Sequence, residues 1–389
     1  MDNILILITK LNGGGAERCA SNLSLELSKK YNIILVVFDG SNITYPYGGK
    51  LIDLGIEKND NFFKKVINVF KRIKTLKKIK KQYNIKCSIS LLDGPNIVNV
   101  LSRKKDKVIV SVRNKLSSEK MNFFRKKIIY YCSKKADKTV ALSEMVKRDL
   151  IQNFNIEENK IMVIYNHCDS NLLHKLSEGM EKPGFVQRGE IYISTIGRLN
   201  MQKGQWHLIR AFKKVTEKIP NAKLIIIGEG ELEFKLKRLV NDLGMKKNII
   251  FTGFIKNPHN ILKYCEMFVF SSIFEGLGNV LLEALAFNVP IISTDCEAGP
   301  REILAPKSEL SSNARDIEYE EYGILVPKLN YDNFNSYDKI TKEEQIMANA
   351  IIKLHEDEEL RKKYINLSKE RINDFSVEKI IAEWEKCIY

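Results

Sequence analysis

Two carboxylates flank a glycine-rich turn at the start of an apolar helical pattern. Glu275 and Glu283 are eight residues apart, with Gly276 and Gly278 between them, and the helical pattern starts near Asn279. Glycines let a backbone approach a ligand closely, and the free N–H groups of a helix's first turn point toward whatever lies in front of it. Ionised carboxylates accept hydrogen bonds from hydroxyl groups. The pattern therefore favours a sugar-nucleotide site in which Glu275 faces sugar hydroxyls and Glu283 faces a ribose diol.

Two cations follow an apolar strand pattern at residues 191–196. Arg198 and Lys203 are five residues apart, at the beginning of the next helical pattern. Because helix N-termini favour anions, two cations at this place indicate that they share a bound anion, such as a diphosphate leaving group. An ordinary structural explanation stays open for both patterns, namely glutamates that stabilise a helix N-terminus and a solvated basic loop.

The same residues resemble a known family. The stretch 274–283 is similar to the Glu-x7-Glu donor-site motif of retaining glycosyltransferase family 4, and 197–204 is similar to the family's Gly-Arg-Leu-x3-Lys-Gly motif, which clamps the nucleotide diphosphate. Residues 14–17, Gly-Gly-Ala-Glu, are similar to a family loop that contacts donor phosphates and frames the acceptor pocket. The resemblance covers nearly the whole chain. It implies the GT-B fold, an α/β architecture of two Rossmann-like, doubly wound parallel-sheet domains that face each other across a cleft.

Three groups of site residues follow from this resemblance. The predicted catalytic residues are Glu275, Arg198 and Lys203. The residues predicted to bind the nucleotide-sugar are Gly14, Gly15, Gly228, Glu229, Phe254, Gly276, Leu277, Gly278, Asn279, Glu283 and Glu302. The residues predicted to bind the acceptor are Glu17, Asp93, Arg113 and Asn114. For Phe254, packing in the core stays open as an alternative to a place beside the nucleobase.

The segment after the strand that ends at Val112 departs from the family pattern. Many members have a histidine there that faces the donor sugar, whereas this chain has Arg113 and Asn114. Neither residue is a neutral general base near neutral pH, although both can hydrogen-bond a sugar or a phosphate. We therefore expect electrostatic catalysis, in which Arg198, Lys203 and helix N–H groups assist departure of the nucleotide diphosphate. No Asp-x-Asp pair occurs in the sequence, so the prediction includes no metal and no other cofactor.

The family resemblance also sets the expected reaction. It implies transfer of a hexose or N-acetylhexosamine from a nucleotide-sugar, usually UDP-linked, to a lipid-linked or growing surface-glycan acceptor, as in capsule synthesis, with retention of anomeric configuration. Two alternatives stay open. The chain could be a nucleotide-sugar epimerase on the same fold, or a nucleic-acid-binding protein that uses a basic N-terminal half.

Positive charge is concentrated in the first half of the chain. Residues 1–180 contain 33 Lys and Arg against 17 Asp and Glu, whereas residues 181–389 contain 30 against 31. The pattern predicts a basic amphipathic helix over residues 62–83 and a second basic, aromatic cluster at residues 123–128. Either a core-facing helix with a solvated lysine face or docking on an anionic membrane surface explains this charge. Nucleic acid is not expected as a partner, because the aromatic residues are predicted on the apolar helix face rather than among the charges.

Length and composition indicate a two-domain protein of 389 residues. The predicted divisions are an acceptor-binding domain at 1–175, a donor-binding domain at 186–375, and a C-terminal helix at 376–389 that crosses back to the first domain. Seven cysteines without a Cys-x-x-Cys spacing argue against zinc and against a disulfide framework. No apolar run reaches the roughly 18 residues of a membrane span. We expect a cytoplasmic protein that is peripheral at the inner face of the cytoplasmic membrane.

Overall fold

The computed structural model describes residues 1–56, 62–118, 123–332 and 334–389. The chain forms two compact units, which are Met1–His167 together with Val377–Tyr389, and Cys168–Ser376. Each unit has an α/β architecture built around one seven-stranded sheet.

The first unit contains a sheet of seven parallel strands with helices between them. Its strands are β1 Asn3–Ile8, β2 Asn32–Val37, β3 Lys50–Asp53, β4 Cys87–Leu91, β5 Lys107–Val112, β6 Lys138–Ala141 and β7 Ile161–Val163. Its helices are α1 Gly15–Leu27, α2 Phe62–Gln82, α3 Asp93–Leu101, α4 Phe123–Lys135 and α5 Glu144–Phe154. The strand order is β3-β2-β1-β4-β5-β6-β7, which is a doubly wound sheet.

The second unit repeats this plan. Its strands are β8 Ile191–Ile196, β9 Ala222–Ile227, β10 Ile249–Gly253, β11 Cys265–Phe270, β12 Ile291–Thr294, β13 Glu318–Tyr319 and β14 Ile324–Val326. Its helices are α6 Ser170–Ser177, α7 Gln205–Lys218, α8 Glu233–Asp242, α9 His259–Leu262, α10 Asn279–Ala286, α11 Pro300–Leu304, α12 Lys342–Glu356 and α13 Glu358–Arg371. The strand order is β10-β9-β8-β11-β12-β14-β13, and only β13 runs antiparallel to its neighbour.

The continuous apolar runs form central strands because both faces of each sheet are covered. In β1, Ile4 and its alternate neighbours pack toward α1, whereas Leu5 and Leu7 pack toward Ile73 and Leu76 of α2. The last helix, α14 Val377–Ile388, packs in the same core as Ile4 through a group of buried residues that includes Trp384. The C-terminal helix is therefore part of the first unit.

The structure divides the chain earlier than the predicted boundary at residues 175–186. Helix α6 lies in the second unit, where the N–H of Cys168 donates to the carbonyl of Phe375 at 2.8 Å. His174 Nε2 lies 2.9 Å from the carbonyl oxygen of Ala286 in α10. These contacts tie the segment after His167 to the second unit, although its polar composition is typical of a linker.

Three elements of the sheets and of the C-terminal segment differ from the sequence pattern. Strand β3 is half-exposed and was not predicted, and neither was the short β13–β14 pair. The helical pattern over residues 342–367 is two helices, because the Asp357 side chain accepts from Leu360 N–H and starts α13. No helix in the described ranges combines the length and the apolarity that a bilayer span requires.

The strand order reverses at one place in each sheet, between β1 and β4 in the first unit and between β8 and β11 in the second. Ligands of open α/β sheets bind outside the carboxyl ends of strands at such a reversal. In the second unit, the loops that leave this place are residues 197–204 and 271–278. These loops contain both charged motifs found in the sequence.

Candidate functional site

The reversal point of the second sheet is marked by an ion pair. Lys203 Nζ lies 2.5 Å from Glu275 Oε1, and the two side chains are 17% and 9% exposed. Lys203 ends a short 3-10 turn in which the Asn200 side chain accepts from the Lys203 N–H. Its aliphatic part packs on Gly197, where an added Cβ would lie 3.2 Å from Lys203 Cδ. The lysine is thus held over the strand ends by its own loop and by a carboxylate from the neighbouring loop.

This ion pair gives Lys203 a partner that differs from the predicted one. A diphosphate was predicted between Arg198 and Lys203, and in the structure Lys203 already donates to Glu275. Arg198 is exposed to solvent on the same loop, while its carbonyl accepts from the Gln205 side chain at 3.0 Å. A partly buried lysine and an exposed arginine therefore lie on one loop beside the sheet's reversal point.

Glycines shape the backbone that leads into α10. Helix α10 begins at Asn279, as the sequence pattern predicts, and Gly278 before it has φ +87°. Gly299 has φ +97°, and a Cβ at that position would overlap the carbonyl oxygen of Leu277. Leu277 is buried, so the loop before Pro300 packs directly on the turn between Gly276 and Asn279.

Glu283 is buried in α10 and paired with a histidine. Its Oε2 lies 3.1 Å from His259 Nε2, and the two residues are 5% and 4% exposed. No local motif marks His259 as a site residue, because its contact with Glu283 forms only when α9 and α10, which flank β11, fold against each other.

The predicted nucleobase side of the site lies at the end of β9 and β10. Gly228 has φ +139°, and a Cβ there would overlap the Gly197 carbonyl oxygen, so only glycine fits against the Arg198 loop. The Glu229 side chain is exposed, and its carbonyl accepts from the N–H of Leu199 at 2.9 Å. Phe254 is 69% exposed, so the core-packing alternative is wrong for this ring.

Glu302 occupies a buried position in α11. It is 4% exposed, and its carbonyl accepts from Arg371 Nη2 at 2.6 Å. The neighbouring Arg301 donates to both Asp295 and Glu318 at 2.6 Å. This network fixes the segment after β12, whose Gly299 packs against the start of α10.

The glycine loop of the first unit folds back on its own helix. A Cβ at Gly14 would clash with Oε2 of Glu17, which is 9% exposed in the first turn of α1. Helix α1 begins at Gly15, so its first N–H groups lie at the carboxyl end of β1. Gly14 is therefore required for the position of the Glu17 carboxylate.

The other predicted acceptor residues lie at the carboxyl ends of β4 and β5. Asp93 is paired with Arg125 Nη2 at 2.8 Å. It follows Leu92, whose φ of +79° is rare for a residue with a side chain and marks local strain. Asn114 is exposed, whereas Arg113 before it is buried.

Arg113 is a buried cation with neutral partners. It is 7% exposed, its Nη1 donates to Ser111 Oγ at 3.3 Å, and its Nη2 donates to Asn166 Oδ1. Its Nε has no hydrogen-bond partner within the described part of the chain. Burial lowers the pKa of Arg113, and burial raises the pKa of the neighbouring Cys19 thiol. A desolvated guanidinium without a carboxylate among the described residues is suited to accept an anion.

The described ranges contain no group of three or more His, Cys, Asp or Glu side chains arranged to hold a metal ion. All seven cysteines are free thiols. Burial raises the pKa of the Cys296 thiol, which lies near both Lys203 and Glu275.

Comparisons with known proteins agree with this geometry. Residues 13–172 match the family profile Glycosyltransferase Family 4, and residues 178–318 match Glycosyl transferases group 1. An uncharacterised glycosyltransferase of Methanocaldococcus jannaschii is 39% identical over 352 residues, which are 85% of this chain and 86% of that protein. A Campylobacter jejuni N-acetylgalactosaminyltransferase, named for the acceptor N-acetylgalactosamine-N,N'-diacetylbacillosaminyl-diphospho-undecaprenol, is 29% identical over 398 residues and 98% of both chains.

Solved structures show the same fold over the full length. A glycosyltransferase from Rickettsia africae has a TM-score of 0.76 at 18% identity, covering 100% of this chain and 97% of that one. Anabaena HepE in complex with UDP has a TM-score of 0.75 at 17% identity, covering 100% and 99%. The predicted GT-B fold is confirmed, and the chain belongs to the glycosyltransferases that join a family 4 domain to a group 1 domain.

Proposed function

We propose that this protein transfers a sugar, a hexose or N-acetylhexosamine, from a UDP-sugar to a lipid-linked or growing surface-glycan acceptor with retention of anomeric configuration. The Campylobacter jejuni relative is named as a transferase of N-acetylgalactosamine to a diphospho-undecaprenol-linked acceptor, which supports the acceptor class. The Anabaena neighbour binds UDP, which supports the nucleotide.

The Lys203–Glu275 pair is the main observation that supports the proposed donor site. It lies at the reversal point of the second sheet, where a nucleotide is expected to bind. The Glu283 carboxylate on the adjacent helix then reaches the ribose diol, and the exposed ring of Phe254 lies on the base side. These groups together match the parts of a sugar nucleotide, namely base, ribose, diphosphate and sugar.

Charge neutralisation by the protein itself is the proposed catalytic principle. Lys203 exchanges Glu275 for the donor diphosphate, and the exposed Arg198 adds a second cation as negative charge develops on the leaving group. The freed Glu275 carboxylate accepts from the sugar hydroxyls. This scheme proceeds without a divalent metal, because the two side-chain cations supply the charge that such a metal would supply.

The acceptor is proposed to bind at the carboxyl edge of the first sheet. The buried Arg113 guanidinium offers Nε–H to a phosphate oxygen of a lipid diphosphate, with the exposed Asn114 beside it. Glu17 and Asp93 lie at the same edge, after β1 and β4, and suit hydroxyl groups of the acceptor glycan.

An exposed basic, aromatic surface supports peripheral binding to an anionic membrane. Phe63 and Phe70 of α2 are 77% and 68% exposed, and Phe123 and Phe124 of α4 are 73% and 72% exposed. Helices α2 and α4 each follow a parallel strand and both pack beside α3. Aromatic rings among lysines suit the interface of an anionic bilayer, which supports the proposal of a peripheral location at the inner face of the cytoplasmic membrane.

This surface corrects two details of the sequence prediction. The aromatic residues of α2 are predicted on the apolar helix face, and in the structure Phe63 and Phe70 are exposed, whereas Ile73, Leu76 and Ile79 are buried. Lys80 lies within the predicted basic helix, but it is buried and its Nζ lies 2.7 Å from Asp106 Oδ2. Burial lowers the pKa of Lys80.

Thermal shift with UDP-, GDP-, ADP- and dTDP-sugars tests the donor site. We expect UDP-sugars alone to raise the melting temperature, since a ligand that binds only the folded state stabilises it. The shift should be lost in Glu283→Ala and kept in Glu309→Ala, whose carboxylate is exposed on the same unit. A shift of equal size in both variants would place the nucleotide elsewhere.

Transfer itself is tested with radiolabelled UDP-sugars and polyprenyl-diphosphate-linked acceptors in the presence of EDTA. Labelled lipid product with the donor's anomeric configuration, resolved by NMR of the linkage, is the expected result. Epimerised nucleotide-sugar formed without acceptor would instead indicate an epimerase.

A further inference from the structure

His259 is built into the proposed donor site although it carries no motif. It starts α9, is 4% exposed, and its two ring nitrogens face oxygen atoms on opposite sides. Nε2 lies 3.1 Å from Glu283 Oε2, and Nδ1 lies 2.5 Å from Asn257 Oδ1.

The orientation of the Asn257 amide shows which nitrogen of the His259 ring carries a hydrogen. Its Nδ2 donates to the Leu176 carbonyl at 2.6 Å, so the atom beside His259 is the amide oxygen, which also accepts from the His259 N–H at 3.3 Å. Nδ1 must therefore carry a hydrogen. Nε2 lies 3.1 Å from Glu283 Oε2, so the two side chains share a hydrogen bond.

Packing fixes the ring in this orientation. The Phe287 ring stacks on His259 with centroids 5.5 Å apart at an interplanar angle of 11°. The ring of His174 contacts the same Phe287 at 4.5 Å. A histidine held this way gives the buried Glu283 side chain one directed hydrogen bond.

We infer that His259 is a positioning residue for donor binding, whose Nε2 shares a hydrogen bond with the Glu283 carboxyl group and orients it toward the ribose diol. The inference rests on the proposed function, since it assigns Glu283 to the nucleotide.

Two other side chains near this ring have hydrogen-bond partners of their own. His174 of α6 lies beyond Phe287 with its Nε2 directed at the Ala286 carbonyl. Lys263, at the end of α9, donates its Nζ to the Ser177 carbonyl at 2.6 Å.

Three variants test this role by UDP titration calorimetry and donor kinetics. His259→Leu should raise the donor KM and the UDP dissociation constant at least about tenfold, with a smaller change in kcat. His259→Gln keeps a side-chain hydrogen-bond donor toward Glu283, so it should restore both quantities to within about threefold of wild type. His355→Gln is the matched control, because His355 Nδ1 lies 2.7 Å from Glu266 in a half-exposed pair on the same unit.

The outcomes separate this inference from the proposed function. If wild type binds UDP and His259→Leu binds it equally, the inference fails while the donor site stands. If wild type binds no nucleotide at all, the proposed function and the inference fail together.

Discussion

Lys203 Nζ donates to Glu275 Oε1 at 2.5 Å across the reversal point of the second sheet. The two residues come from the loops after β8 and β11, which are neighbouring strands although 72 positions separate the residues in sequence. Under the proposed function, a carboxylate and a diphosphate compete for this lysine, and we expect Glu275 to assist release of the nucleotide product by pairing with Lys203 again.

Competition predicts opposite effects of the two residues on UDP binding. Lys203→Ala should weaken UDP binding and lower the transfer rate roughly 100-fold, because a developing charge loses its partner. Glu275→Gln should lower transfer but bind UDP at least about threefold tighter, because the neutral amide no longer attracts the lysine as strongly. Calorimetry with UDP and initial-rate assays measure both effects.

Exposed residues of the same unit provide controls for this pair. Lys246→Ala and Glu309→Gln remove a lysine and a carboxylate from the surface and should leave both measurements unchanged. Weaker UDP binding in Glu275→Gln would contradict the competition and make Glu275 a support for Lys203 instead.

The turn before α10 should tolerate no side chain at Gly299. Its φ of +97° costs about 1–2 kcal/mol for a residue with a Cβ, and that atom would also overlap the Leu277 carbonyl oxygen. Gly299→Ala should lower the free energy of unfolding by at least about 2 kcal/mol in denaturant titrations and weaken UDP binding. Gly184→Ala should do neither, since nothing lies within 4 Å of a Cβ there.

Acid should destabilise the second unit through Glu344. Burial alone would raise the pKa of this carboxyl, but hydrogen bonds from His207, Arg210 and the Thr341 N–H together hold it below its ordinary value. A carboxyl with a depressed folded pKa contributes stability above its unfolded value of about 4.3, and this contribution is lost as pH falls through the folded pKa.

The matched substitution for this prediction is Glu344→Gln. At neutral pH it should lower the free energy of unfolding by about 3 kcal/mol, because the buried Arg210 and His207 lose their carboxylate. In urea titrations the difference from wild type should shrink as pH falls below about 4 and through the folded pKa, because protonation then makes the wild-type group neutral as well. A difference that stays constant with pH would mean that Glu344 acts through packing alone.

The sequence predicted the central strands because their apolar runs leave few other structures possible. It missed β3, whose side chains are half-exposed, since an edge strand with one polar side has no continuous apolar run. It also missed the β13–β14 pair, which is too short for a periodic pattern.

The sequence predicted single residues of the candidate site but not the contacts between them. The glycine spacing identified Glu275 and Glu283, and the unusual cation at a helix start identified Lys203. The contact between Lys203 and Glu275, and that between His259 and Glu283, depend on strand order, which local patterns do not contain. Exposure of Phe63 was missed because the periodicity of α2 shows an apolar side without showing where the core ends.

The basic, aromatic surface should bind anionic vesicles. Lys77→Glu with Lys78→Glu should lower the partition coefficient onto phosphatidylglycerol vesicles at least about 30-fold, since each basic residue near the surface contributes about 1 kcal/mol. The double variant Phe63→Ala, Phe70→Ala should also weaken vesicle binding, and this loss should be similar at low and at high salt concentration because the rings contribute apolar contact. Sedimentation with vesicles of rising anionic content measures both effects.

The second unit supplies controls for the surface. Lys246→Glu with Lys247→Glu changes two adjacent exposed lysines there, and Phe234→Ala removes a ring that is 79% exposed. Neither should change vesicle binding. Tight, salt-sensitive binding of single-stranded RNA with no affinity for vesicles would overturn the membrane proposal and favour a nucleic-acid partner.

Arg113 should affect stability and activity in opposite directions. Its guanidinium is desolvated beside neutral partners, so Arg113→Gln removes a cost of folding and should keep or raise the melting temperature. The same change should raise the acceptor KM at least about tenfold while UDP binding stays unchanged, because the acceptor phosphate loses a charged donor. Arg148→Gln, on an exposed helix position of the same unit, should change neither quantity. Lower stability together with a normal acceptor KM would make Arg113 a structural residue, held by Asn166 rather than used on a ligand.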